Sequence, residues 1–213
     1  MANREKVVEA FLQLLAQTSF QQIGFAALAA RADMPLAELR AEFNSTLEVL
    51  AAFMRETDRK VLAGVDPELA DEPARERLFD VLMRRIEMLK LHREAVRSLA
   101  RSARRDPGLA LALNRLSLRS QKWMLAAAGI DSAGMQGDLR AQGLVVVTAR
   151  TLRVWLDDED PGLARTMATL DRELANGERM LNFLGDICRL VPRFGPGRRA
   201  RRRPEGPADS AAA

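Results

Sequence analysis

The residues with the clearest chemical potential are arginines repeated at helical spacing. They are Arg93, Arg97, Arg101 and Arg104, three or four positions apart, with Arg105 directly after them. Side chains three and four residues apart are neighbours on an α-helix, so this spacing predicts one basic helix face. Guanidinium groups pair well with carboxylates and phosphates. We interpret the face in two ways: as a solvated surface, or as a site for an anionic partner such as a lipid head group, an acyl-CoA or a phosphorylated surface.

The residue types that serve catalysis are few and scattered. The chain has one histidine, His92, and one cysteine, Cys188, so no cluster of these residues can build a metal site or a nucleophilic triad. Four carboxylates at positions 157–160 precede a predicted helix, where they favourably oppose its dipole; a divalent cation site is the alternative. Glycine-rich phosphate loops are missing from the sequence. We therefore expect a non-enzymatic protein with no cofactor and no metal.

Composition indicates a globular chain of one or two domains, because 47% of its 213 residues are apolar. A single cysteine excludes an internal disulfide. The start of the chain does not resemble a signal peptide, and no apolar run approaches the roughly 20 residues that span a bilayer. We expect a cytoplasmic protein.

The positive charge of the chain is unevenly distributed. Residues 192–213 carry six arginines and two acids, which equals the net charge of +4 of the whole protein. Residues 1–60 contain seven basic and eight acidic side chains, whereas residues 73–122 contain thirteen and five. The basic character therefore belongs to the middle and the end of the chain, and the first sixty residues have little of it.

Apolar residues recur at helical spacing along nearly the whole chain, which predicts an all-α fold. We expect a head at 1–63, a helical body at 64–191 and a disordered, arginine-rich tail at 192–213. The predicted helices are Arg4–Ala16, Phe25–Ala32, Leu36–Phe43, Thr46–Ala63, Ala74–Arg104, Leu109–Ala128, Asp138–Leu156 and Leu163–Val191.

The segment from Phe20 to Leu50 resembles the helix-turn-helix of TetR-type transcriptional regulators. Its sequence is FAALAARADMPLAELRAEFNSTLEVLAAFM from Phe25 onward. The framework positions of that motif are filled by small or apolar residues and one serine: Leu28, Ala29, Ala32, Met34, Leu39, Phe43, Ser45, Val49 and Leu50. The resemblance implies a helix-turn-helix head, a ligand-binding body, a homodimer and a double-stranded DNA operator.

The resemblance also implies which residues contact DNA. The helix Leu36–Phe43 would enter the major groove, with Arg40 as its best donor, while Glu38 could accept a hydrogen bond from cytosine. Thr46 stands where the family has a lysine that points at the DNA backbone. The full set of expected contact residues is Arg4, Lys6, Arg31, Leu36, Glu38, Arg40 and Thr46.

The body, from about Arg75 to Leu181, also resembles the lipid-binding accessory proteins of ubiquinone biosynthesis, which share the TetR fold without acting as repressors. The residues in step with that family are His92, Trp123, Asp158, Thr166, Leu170, Asp171 and Arg172. This resemblance implies a non-enzymatic, lipid-binding protein that presents a quinone intermediate or acyl chain to partner enzymes, with peripheral membrane contact as a further possibility.

Aromatic, aliphatic and methionine side chains recur on the body helices, which predicts either a packed core or an apolar ligand cavity. Both resemblances imply a cavity for an apolar or acyl ligand, and Arg150 could anchor an acidic head group there. The expected pocket residues are Phe79, Met83, Ile86, Trp123, Leu144, Val147, Arg150 and Trp155.

The last predicted helix is long and apolar enough to pair with its copy in a dimer, and arginines follow it. An apolar helix before arginines is also typical of peripheral membrane contact. The sequence thus leaves two hypotheses: a ligand-responsive TetR-like transcriptional regulator, or a lipid-binding accessory protein of the same fold that no longer binds DNA.

Overall fold

The computed structural model describes residues 2–190, with the side chains of residues 3–177 and 179. Within this range the chain is helical and contains no β-strand, so the predicted all-α class is confirmed. The tail predicted at 192–213 lies outside the described residues. The helices are α1 Ala2–Gln17, α2 Phe25–Arg31, α3 Leu36–Glu42, α4 Thr46–Ala63, α5 Ala74–Leu89, α6 Arg93–Arg105, α7 Pro107–Ala127, α8 Gly134–Trp155 and α9 Ala164–Leu190.

Several helix starts are fixed by side chains that accept backbone N–H groups. Ser45 accepts from the Glu48 amide at 3.1 Å and begins α4. Asp106 accepts from the Leu109 amide at 3.0 Å and begins α7, where Pro107 needs no amide partner. The prediction for α4 is confirmed at both ends.

The predicted single helix from Ala74 to Arg104 is wrong. The chain forms α5, then a 3-10 turn over Lys90–His92, then α6. Tertiary contacts hold this break, because the His92 ring packs edge-on against Phe53 on α4, with 5.4 Å between ring centroids. The apolar periodicity continues through the turn, so the sequence pattern contains no sign of the break.

The start of α8 also differs from its prediction. The helix begins at Gly134, inside the segment 129–137 that was predicted to be a loop. Gly137 is buried in the first turns, and a Cβ there would lie 2.1 Å from the carbonyl carbon of Ser132. Because the preceding loop closes directly onto the helix backbone, only glycine fits at this position.

The first four helices enclose a head core of buried apolar side chains. Phe11 of α1, Leu28 of α2 and Phe43 after α3 are at most 1% exposed. Ala95 of α6 belongs to the same core, and Leu99 packs against it. One helix of the body therefore completes the packing of the head.

The body helices form two further apolar clusters. The first joins Val61 at the end of α4 to α5, α7, α8 and α9. The second lies around Trp155 at the end of α8, with Ile86 and Leu89 of α5. No helix within residues 2–190 is both long and apolar enough to cross a membrane.

Candidate nucleic-acid interface

The helices α2 and α3 form a helix-turn-helix corner. Four residues separate them, and Asp33 adopts a left-handed backbone conformation with φ 50°, which aspartate tolerates better than most residues. The Met34 amide donates to the Ala29 carbonyl at 3.1 Å and closes the turn. Of the predicted framework residues, those buried are Leu28, Ala29, Ala32, Leu39, Phe43, Val49 and Leu50, so the packing expected of them is confirmed.

The outer face of this corner carries most of the predicted DNA-contact residues. Leu36 is 53% exposed, and Glu38 and Arg40 on the same helix are exposed as well. Arg31 is exposed at the end of α2 and Lys6 on α1, while Thr46 is half-buried at the start of α4. The corner thus presents Leu36 and Arg40, four residues apart, on one side of α3.

Two of the expected basic contacts are engaged within the protein. Arg4 donates to the backbone oxygen of Glu42 at 3.1 Å, and its guanidinium lies 4.4 Å from the centre of the Phe43 ring. Its Nη1 is also 3.5 Å from a carboxylate oxygen of Glu42. Arg40 donates to the side-chain oxygen of Asn44 at 2.6 Å. Arg4 therefore fixes α1 to the end of α3.

The segment between α1 and α2 is attached to α6 by hydrogen bonds. Ser98 donates to the Thr18 carbonyl at 2.6 Å, and the Phe20 amide donates to the Ser102 hydroxyl at 3.0 Å. Gln21 donates to the Asp106 carboxylate, also at 3.0 Å. The chain that leads into α2 is therefore held along the second half of α6.

A second link joins α4 to the body through a buried carboxylate. Asp58 pairs with Arg85 of α5 and accepts a hydrogen bond from the Ser120 hydroxyl of α7 at 2.7 Å. From the sequence, Asp58 was counted only among the eight acidic side chains of residues 1–60. The signal that could have identified it is its spacing: Asp58 stands one helical turn before the buried Val61, on the side of α4 that faces the core.

The predicted basic face of α6 divides into two parts. Arg93 donates to the carbonyl oxygens of Trp155 and Asp158, and its guanidinium lies 5.2 Å from the centre of the Trp155 ring. Arg97 donates to the carbonyl of Leu156 and pairs with Asp157 at 2.8 Å, which lowers the pKa of that carboxyl. These two arginines bind the end of α8.

The four carboxylates at positions 157–160 serve this turn and the start of α9. Asp158 is buried and accepts the amide and the hydroxyl of Thr166 at 2.9 and 2.6 Å, which lowers the pKa of its carboxyl. Asp160 accepts the amides of Gly162 and Ala164. In the described part of the chain no three acidic, histidine or cysteine side chains group as metal ligands would.

The predicted pocket residues do not come together as one wall. Ile86, Leu144, Val147 and Trp155 are buried in the two body clusters. Trp123 is 60% exposed on α7, so its placement in the interior is wrong, because the α7 face that packs inward carries Met124 and Leu125 instead.

Arg150 is also at the surface and pairs with Glu173 of α9 at 2.8 Å. It does not turn toward the interior, as an anchor for an acidic head group in a body cavity would have to. An ion pair at the surface keeps the guanidinium in water and avoids the cost of burying it.

Two cavities lie near the remaining pocket residues. A small one of about 10 Å³ lies between α5 and α8, where Arg85 and Ile86 meet Thr148 and Thr151. The buried hydroxyl of Thr148 has no hydrogen-bond partner. An open cleft of about 350 Å³ is lined by Phe79 and Met83, and the turn before α9 forms one of its sides. The smaller of the two is thus about the size of one water molecule.

Comparisons with known proteins give structural relatives only. No family model matches the chain. No curated protein matches it. A TetR transcriptional regulator from Nitrosomonas europaea has a TM-score of 0.64 and 22% identity over 82% of this chain and 97% of its own.

Two further solved structures are similar. A TetR-family transcriptional regulator from Streptomyces coelicolor has a TM-score of 0.57 and 16% identity over 92% of each chain. A TetR transcriptional regulator from Rhodococcus sp. RHA1 has a TM-score of 0.56 and 17% identity over 83% of this chain and 95% of its own. The chain therefore has the TetR-like fold that its first fifty residues predicted.

Proposed function

We propose that the protein is a non-enzymatic, DNA-binding transcriptional regulator of the TetR type. The observation that carries the proposal is the corner of α2 and α3. A buried framework holds it, and its outer face exposes Leu36 and Arg40 on one side of a short helix. An exposed second helix of this kind is what enters the major groove in helix-turn-helix proteins. The likeness to solved TetR regulators supports the same function.

In this function α3 reads bases and the surrounding residues hold the DNA backbone. Arg40 is the base donor, and Leu36 makes apolar contact beside it. Glu38 accepts from a cytosine amine. The phosphates are contacted by Lys6 and Arg31, which have no ion-pair partner among the described residues, and by Arg4 and Thr46. Arg4 releases Glu42 to make its contact.

We propose that two copies pair through α8 and α9. These helices pack against each other, and α8 leaves Met135, Leu139 and Val146 exposed on the same side of the helix. An exposed apolar row of this kind marks an interaction surface. A two-fold pair places two α3 helices on successive major grooves of one operator.

A small apolar or acyl molecule would control this dimer through the body. The open cleft of about 350 Å³ has room for such a molecule: Phe79, Met83 and Leu163 supply an apolar wall, and Lys90 supplies a positive charge for an acidic head. Binding there acts on α5, which lines the cleft and also carries Arg85, the ion-pair partner of Asp58 on α4. A ligand that changes this contact changes the position of the head and the affinity for DNA.

One observation favours the alternative of a lipid-binding accessory protein that no longer binds DNA. The exposed helix α3 carries Glu38 and Glu42 on either side of Arg40, and Glu42 engages Arg4. Carboxylates oppose the approach of a polyanion. In this alternative the body presents a lipid or acyl chain to a partner enzyme or to a membrane surface.

Two measurements separate these functions. Fluorescence anisotropy at low salt, with duplexes from the DNA upstream of the gene, measures operator binding by folded, dimeric protein. Saturable binding that exceeds binding to a scrambled duplex supports the regulator. No difference between the duplexes, together with a lipid extracted from the purified protein and identified by mass spectrometry, would establish the accessory role instead.

A further inference from the structure

Three arginines at the end of α6 remain without a structural role. Arg101, Arg104 and Arg105 are exposed, and none forms an ion pair within the described residues. They differ in this from Arg93 and Arg97 on the same helix, which bind the end of α8. Three unpaired positive charges within two helical turns produce a strong local field.

The end of α6 lies against the segment that enters the helix-turn-helix. The Ser102 hydroxyl accepts a hydrogen bond from the Phe20 amide. Asp106, which directly follows Arg105, accepts one from the Gln21 side chain. Phe20 and Gln21 precede the first residue of α2 by only a few positions. Arg105 therefore lies between two hydrogen bonds that attach α6 to the head.

Helical geometry separates the three arginines by direction. Each residue turns an α-helix by about 100°. Relative to Ser102, Arg101 and Arg105 are displaced by about 100° and 60° toward the same side, whereas Arg104 points about 160° away. Ala95 and Ser98 are buried on the Ser102 side, which marks the face toward the head. Arg101 and Arg105 thus flank the head, and Arg104 faces away from it.

We propose that Arg101 and Arg105 contact the phosphate backbone of DNA beside the position where α2 and α3 bind it. This inference rests on the proposed function. The head supplies little positive charge of its own, since residues 1–60 carry seven basic and eight acidic side chains and Arg4 and Arg40 are engaged internally. Two arginines from the body provide the missing attraction for a polyanion.

The contact makes no use of base identity. Phosphate contacts position a protein on DNA and add affinity for every sequence. Arg101 and Arg105 therefore raise binding to the operator and to unrelated duplexes alike, and α3 determines which sequence is preferred. The footprint on each half-site extends past the bases that α3 reads, toward the side on which α6 meets the head.

The test uses the full chain and measures how affinity depends on salt. Anisotropy titrations with the upstream duplex and a random duplex, from about 50 to 200 mM salt, give the slope of log K against log salt. The variant is Arg101→Ala/Arg105→Ala. The control is Arg104→Ala, which removes a charge from the same helix on the opposite side. Circular dichroism and thermal melting verify that each variant is folded.

Each lost phosphate contact reduces the steepness of the slope by about 0.9. The double variant loses two contacts in each protomer of the dimer, so it is expected to reduce the slope by about 3.6 on both duplexes. Arg104→Ala is expected to leave the slope unchanged. An unchanged slope in the double variant, with operator binding by the wild type intact, overturns this inference and leaves the proposed function standing. Absence of DNA binding by the folded wild type overturns both.

Discussion

Asp58 on α4 and Arg85 on α5 form an ion pair in which the two side chains are only 11% and 8% exposed. The pair stands where the last helix of the head meets the first helix of the body, and Ser120 of α7 completes it. Removing one member of a buried pair leaves the other charge without compensation in a poorly solvated site. Three helices therefore depend on one carboxylate.

Replacement of this carboxylate is expected to destabilise the fold strongly. Asp58→Ala leaves the Arg85 guanidinium buried and unpaired, and we expect the free energy of unfolding to fall by about 3–5 kcal/mol. Urea denaturation followed by circular dichroism measures the loss. Glu56→Ala is the matched control on the same helix, because Glu56 pairs with an exposed arginine at the surface. An equally small loss in both variants would contradict the central role of Asp58.

His92 is expected to make stability depend on pH near neutrality. Burial lowers the pKa of its imidazole, while the charge of Glu9 opposes and that of Lys60 adds to this effect. The unfolded chain then binds a proton more readily than the folded protein, so stability is complete above the ordinary pKa of about 6.5 and falls as pH decreases through the folded value.

His92→Phe keeps an aromatic ring against Phe53 and removes the titrating group. We expect its urea midpoint to vary less than that of the wild type between about pH 7 and pH 5. The chain has one histidine, so the imidazole resonances in a proton NMR titration report this residue alone. A titration midpoint above the ordinary value would show that the sign of the effect is wrong.

Truncation of the two tryptophans is expected to change the free energy of unfolding by very different amounts. Trp155 is fully buried, so Trp155→Ala should reduce the free energy of unfolding by about 3–5 kcal/mol. Trp123 is 60% exposed, and Trp123→Ala should change it by no more than about 0.5 kcal/mol. Acrylamide quenching provides an independent check, since fluorescence should be quenched readily in Trp155→Phe and poorly in Trp123→Phe. A large loss of stability in Trp123→Ala would restore its predicted interior role.

On α3, Arg40 is expected to strengthen DNA binding, whereas Glu38 is expected to weaken binding to a random duplex. Arg40→Ala should weaken binding to the upstream duplex by about 1–3 kcal/mol and affect a random duplex much less, because a base contact is lost. Glu38→Gln removes a like charge from the face and should strengthen binding to the random duplex. Anisotropy with both duplexes measures these differences. Equal weakening on both duplexes by Arg40→Ala would identify Arg40 as a phosphate contact.

The framework of the head could be predicted from the sequence because it depends on local periodicity and turn chemistry. Leu28, Leu39 and Phe43 are buried as their spacing predicts. Ser45 begins α4 through an ordinary capping bond. Such features are set by residues a few positions apart, and one sequence contains all the information they need.

The features that the sequence did not reveal depend on partners far along the chain. The break before α6 coincides with contacts of His92 to Phe53 and of Arg93 to the end of α8. Arg93 and Arg101 have the same local sequence pattern. Arg93 binds the end of α8 and Arg101 is exposed to solvent, because the tertiary structure places a helix end opposite only the first of them. Trp123 and Arg150 were misplaced for the same reason.

Helix α6 holds two distant parts of the molecule at once. Its first turns bind the end of α8 through Arg93 and Arg97, and its later turns bind the head through Ser98 and Ser102. Thirteen residues make a rod roughly 20 Å long, fastened near both ends to different partners. Because a helix is stiff along its length, a tilt imposed at one end of α6 would also move the other end. We therefore expect a displacement of the end of α8 to move the entrance to α2 as well, and the reverse.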